Sequence, residues 1–181
     1  ELHAKSYATT IIIYASIIVL ICLTIVVKTN KLYRISSHTG IRYFRNAFLF
    51  YGVAFFIRYF LTFLIEDSVV TASLFEFFII MGGFSLTYSL LYKKLNLKDY
   101  YSSLLNPVVA ILYSFAIIVV LFDVIFKSMN FMFVSQIILF AISSSLSFIN
   151  YKEGAKTNKF LKFYFIAMLF ILLAWLLNFF V

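Results

Sequence analysis

Six long apolar runs, separated by short polar or basic clusters, set the pattern of this chain: residues 7–27, 43–65, 69–92, 107–126, 131–149 and 160–180. Each comes close to the roughly 20 residues a helix needs to cross a hydrocarbon core about 30 Å thick. None alternates with period 2, and runs of this length do not resemble the roughly 10-residue strands of a membrane barrel. Helices are then the way to satisfy every backbone group in lipid. The pattern predicts an all-α integral membrane protein, a six-transmembrane-helix bundle forming one polytopic domain over residues 1–181.

The boundaries carry their own signals. Lys28, Lys31 and Arg34 follow the first run, which is longer than the roughly 7–15 apolar residues of a cleaved leader, so it reads as a retained anchor. Glu66, Asp67 and Ser68 make a polar turn that folds the second and third runs into an antiparallel hairpin. Lys93 and Lys94 end the third, and an amphipathic linker over 95–105 follows. Asn106 before Pro107 is a cap followed by a proline at the first helical position. Residues 127–130 make a tight connection into the fifth run, and 150–159, with Gly154, lead to the sixth. No internal repeat stands out, so an inverted-repeat architecture has no support.

Composition narrows the class. Apolar residues are 64% of the chain, against about 45–50% in soluble domains, and charged residues only 12%. That leaves no material for a separate extramembrane domain. The net charge of +8 would point to nucleic acid in a soluble protein. Here the charges sit between apolar runs, where positive-inside topology explains them and no nucleic-acid partner is implied. Lys28, Lys31, Arg34, Arg42, Arg45, Lys93, Lys94, Lys98, Lys152, Lys156, Lys159 and Lys162 flank loops one, three and five, whereas the other side holds only Lys5 and Lys127. Twelve against two places those loops in the cytoplasm and both termini outside, with a cell (plasma) membrane as the expected location.

Polar residues inside the runs are candidate sites, because ionisable groups are expensive at membrane depth. Arg58 and Glu76 each lie about 10 Å from the same outer end, at about 1.5 Å per residue, and matching depth on adjacent helices predicts an ion pair. Asp123, Gln136, Trp175 and Asn178 fall in the same layer. Helical spacing groups Tyr51, Phe55, Arg58 and Thr62 on one face, Ser73, Glu76, Gly83 and Thr87 on another, and Gln136, Ser143, Ser147 and Asn150 on a third. One reading is a polar chamber near the outer face, with Arg58, Glu76, Asp123, Gln136, Trp175 and Asn178 as ligand contacts. The blander reading makes them a structural ion pair and interhelical hydrogen bonds, with Asp123 touching water beside Lys127. Gly82 and Gly83 predict close helix approach. At the other end Lys31, Arg34, Arg42 and Arg45 form a basic cluster expected to contact anionic lipids.

Other chemistry is missing from the chain. Cys22 is the sole cysteine, which excludes an internal disulfide and any Cys-x-x-Cys site. His3 and His38 fall on opposite sides under the predicted topology, so no metal or haem site forms between them. Phosphate-loop, H-E-x-x-H, nucleophile-elbow and carbonyl-filter motifs are all absent. Neither a catalytic residue nor a cofactor is predicted. The expected function is a non-enzymatic ligand-binding, sensing or protein-interaction module working through the outer polar layer. The alternative is a small transporter or transporter substrate-binding subunit. Membrane lipids, a small ligand and a partner membrane protein are the expected partners.

Overall fold

The computed structural model describes residues 2–36, 39–61, 69–92, 107–153 and 159–180. They form α1 (Leu2–Ser36), α2 (Thr39–Phe56) with a π-helical turn at Ile57–Leu61, α3 (Val69–Leu91), α4 (Pro107–Phe126), α5 (Asn130–Glu153) and α6 (Lys159–Phe180). The predicted all-helical architecture is present. Residues 62–68, 93–106 and 154–158, which hold the acidic turn, the amphipathic linker and Gly154, lie outside the described residues, as does His38.

Two helices run further than their apolar stretches. α1 continues through Lys28, Lys31 and Arg34 to Ser36. These residues interrupt hydropathy but not helix propensity, and long basic side chains reach the interface from a helix that extends past the hydrocarbon. α5 likewise passes Asn150 to end at Glu153. Five helices, over Thr10–Ser36, Val69–Leu91, Val108–Phe126, Asn130–Glu153 and Leu161–Phe180, are long and apolar enough to cross a membrane. α2 falls short because Arg42, Arg45 and Asn46 occupy its first turns and residues 62–65, which would complete its apolar run, are not among those described.

The pairs α1–α2, α2–α3 and α5–α6 run antiparallel. Gly52 of α2 lies opposite Cys22 of α1, and Arg45 opposite Asn30, so residue numbers rise on one helix as they fall on the other. Tyr43 meets Tyr88 while Phe55 meets Phe75, which gives the predicted α2–α3 hairpin. Phe133 packs on Trp175 and Phe148 on Phe165, so α5 and α6 are also antiparallel.

The core forms around α3, which packs on α2, α4 and α5. Ile79, Ile80 and Met81 pack with Ala54, Ala116, Val119 and Met132 in one apolar cluster. Leu86 joins Ala47, Phe140 and Met168 in a second. α1 and α6 are peripheral, and residues such as Leu20, Val27, Phe163 and Leu177 stay exposed on them. With lipid as solvent, such faces carry no penalty and interhelical packing rests on shape and polar contacts instead.

The glycine pair works differently from the expected backbone approach. A Cβ at Gly82 would lie 2.9 Å from Cζ of Tyr51, and one at Gly83 would lie 2.9 Å from Oε1 of Gln136. Two adjacent glycines thus admit two side chains from opposite neighbours, an aromatic ring from α2 and an amide from α5.

Candidate polar cavity at the α3–α4–α5 end

The turn between α4 and α5 is built by hydrogen bonds that end one helix and start the next. The Ser128 amide donates to the Asp123 carbonyl at 3.0 Å and the Lys127 amide to that of Val124 at 3.3 Å. Lys127 has φ 50°, the left-handed geometry that normally selects glycine at this place. The chain then reverses, and the first amides of α5 point back at α4. The Asp123 carboxylate receives them: Phe131 N–H donates to Oδ1 at 3.0 Å and Met132 N–H to Oδ2 at 2.7 Å, with the Ser128 hydroxyl at 3.5 Å from Oδ1. Asp123 is 2% exposed and caps a helix from the preceding one, where its negative charge also meets the positive end of the helix dipole. The expectation that it touches water is corrected by this burial.

Glu76, in the second turn of α3, shares a cavity with Asp123. The space is about 330 Å³ and is lined by Val69, Ala72, Ser73, Glu76, Asp123, Val124, Lys127, Ser128 and Met129. Glu76 is 4% exposed, and its Oε2 is buried with no hydrogen-bond partner. Among the described residues, Asp123 and Arg58 lie within electrostatic range, and Lys127 lines the same cavity. The cavity therefore presents one carboxylate whose oxygens are engaged by backbone amides and one with an open acceptor, beside an exposed lysine.

Arg58 stands apart from that lining. Its guanidinium lies over the Phe75 ring, 5.8 Å from the centroid, a cation–π arrangement, and among the described residues it forms no ion pair with Glu76. Equal depth brought the two helices together at the right level, but Arg58 itself lies in the π-helical turn at Ile57–Leu61, and a wider turn rotates every side chain on it. The Arg58–Glu76 pair is thus replaced by an aromatic contact on one side and an open carboxylate on the other.

Gln136 sits deeper, fully buried, and donates from Nε2 to the Ile79 carbonyl at 3.3 Å while its Oε1 has no partner. Two turns further along α5, the Ser143 hydroxyl lies 2.9 Å from that of Thr87, and Thr87 also donates to the Gly83 carbonyl at 2.9 Å. The stripes of α3 and α5 read from helical spacing therefore face one another. Trp175 packs edge-on against Phe133 at 5.6 Å, in the apolar core. Asn178 is exposed and donates to the carbonyl of Ala174 on its own helix at 2.8 Å. Of the six predicted contacts, the structure brings Glu76 and Asp123 into one cavity, leaves Arg58 and Gln136 on its flanks, and separates Trp175 and Asn178 from it. Ser128 and Met129 belong to the lining and were not singled out. The tightness of the 127–130 connection after Asp123 was their signal, since so short a turn must fold its own residues over the carboxylate.

No family model matches the chain, and no solved structure matches it. A protein of Archaeoglobus fulgidus described as uncharacterized is 38% identical over 58 residues. That stretch is 32% of this chain and 26% of the relative, so the likeness spans about a quarter of that protein's length.

Proposed function

We propose that this chain is a non-enzymatic, six-helix membrane module that binds the cationic group of a small ligand at Glu76. The carrying observation is the buried, unpartnered Oε2 of Glu76 on the wall of a cavity of about 330 Å³. A buried carboxylate without a compensating donor is costly. An ammonium-type group entering from the cavity mouth supplies the missing donor and the missing charge at once. Ser73 and Ser128 offer further hydrogen-bonding groups, while Lys127 at the rim disfavours ligands with excess positive charge. In this reading α2 and the residues after it complete the sixth span, the Lys and Arg bias puts loops one, three and five in the cytoplasm of a cell membrane, and the cavity faces outward. Binding there would serve sensing or recruitment of a partner membrane protein.

The test uses the sole tryptophan, Trp175, as the reporter of thermal unfolding in detergent. Methylammonium should raise the midpoint of the native protein by linkage, and equal ionic strength of sodium chloride should not. The rise should vanish in Glu76→Gln. An identical rise in the variant contradicts the site.

A second reading, a small transporter using the same cavity, is favoured by the π-helical turn at Ile57–Leu61, because such turns often mark places where a helix can rearrange. Uptake of labelled methylammonium into reconstituted vesicles, abolished by Glu76→Gln, would select transport; binding without uptake selects the module.

A further inference from the structure

The seam between α1 and α2 carries a groove that runs from about the level of Glu76 toward the opposite end of the fold. Val19, Cys22 and Leu23 on α1 and Phe48, Gly52 and Phe56 on α2 line a wholly apolar groove of about 270 Å³. Its lining recurs at spacings of three and four on both helices, so the groove runs along the helix axes. Gly52 forms part of the floor, where a Cβ would come within 3.1 Å of Cys22 Cβ. One turn beyond the groove stands Arg45. Its Nη1 donates to Asn30 Oδ1 at 2.7 Å, and its Nε and Nη2 donate to Asn46 Oδ1 at 3.3 and 3.1 Å. The guanidinium also lies 5.6 Å from the Tyr33 ring centroid.

This arginine is held rigidly by neutral partners. Two amide oxygens and a ring orient it, no carboxylate among the described residues pairs with it, and the three bonds leave two of its five N–H donors open. A fixed, unneutralised guanidinium with free donors is suited to a phosphate oxygen. Lys31, Arg34 and Arg42 stand at the same ends of α1 and α2 and add to the field.

We propose that the α1–α2 seam binds one anionic phospholipid, its acyl chain in the groove and its phosphate on Arg45. Charge complementarity selects this occupant over an apolar peptide or a second copy of the chain, since neither would answer the guanidinium one turn from the groove. Spacing agrees, because a phospholipid carries its phosphate a short glycerol ester linkage beyond its acyl chain, as Arg45 stands one turn beyond the groove. The inference is independent of the Glu76 cavity.

Native mass spectrometry of the full chain, released from detergent and titrated with phosphatidylglycerol or phosphatidylcholine, tests it. A single phosphatidylglycerol adduct should form at least about fivefold more tightly than phosphatidylcholine, the effect of one cationic contact at a membrane surface. Arg45→Gln should erase that preference, and Arg45→Lys should keep part of it. Leu23→Trp, which fills the groove from its exposed wall, should weaken both lipids, while Arg34→Gln should leave the preference within about twofold. Glycerol phosphate without acyl chains should not compete. Circular dichroism and elution volume confirm that each variant is folded. Equal binding of the two lipids, a preference surviving Arg45→Gln in a folded variant, adducts insensitive to Leu23→Trp, competition by glycerol phosphate, or a dimer that excludes lipid would each overturn the proposal.

Discussion

Asp123 and Glu76 line one cavity, are buried to nearly the same degree, and have opposite hydrogen-bonding states. The turn around Asp123 delivers two backbone amides and a hydroxyl to its carboxylate. The α3 turn around Glu76 delivers nothing to Oε2, because α3's own amides are already engaged within a continuous helix. A carboxylate near a helix start becomes a cap, whereas one inside a helix stays open unless another element reaches it. The first is structure, and the second is free to bind.

That contrast breaks most readily at Asp123. Asp123→Ala leaves buried amides of α5 without acceptors and should lower stability by about 2–4 kcal/mol, measured by reversible unfolding in detergent, with Asp123→Asn milder. A smaller effect comes from the glycine pair. Gly82→Ala presses a methyl group on the rigid Tyr51 ring and should cost about 1–3 kcal/mol. Gly83→Ala should cost less, since the Gln136 amide and the Leu139 methyl it meets lie at the ends of flexible side chains. Lys127→Gly relieves a left-handed residue and should stabilise by about 1 kcal/mol. Glu76→Gln sits at the bottom of the series, with a stabilisation of up to about 1 kcal/mol, because it removes a buried, unpartnered charge and no hydrogen bond. Arg58→Ala combined with it should show only weak coupling, below about 1 kcal/mol, since the two charges act on each other across a distance with no ion pair between them among the described residues. Strong coupling in that double variant would restore the pair expected from their depth.

Helices, their order and the faces they present were legible in the chain. Runs of about 20 apolar residues have few alternatives in lipid, and spacing of three or four grouped Gly83 with Thr87 and Gln136 with Ser143 on two faces, which the structure sets against each other. Hydropathy misplaced the end of α1, because it reports burial in lipid and not hydrogen bonding along the backbone. Side-chain partners were less legible. Depth along a helix is a one-dimensional quantity, and the Arg58–Glu76 pairing also needed the rotation of α2, which the π-helical turn alters. Asp123 read as a ligand contact or a group touching water, and not as a cap, because its partners are backbone amides, present at every position and distinctive at none until the turn aims them.

Infrared difference spectroscopy on addition of methylammonium separates the two carboxylates most directly. The account predicts a carboxyl band change that disappears in Glu76→Gln and persists in Asp123→Asn. A change that persists in Glu76→Gln, or one that disappears in Asp123→Asn alone, would contradict it.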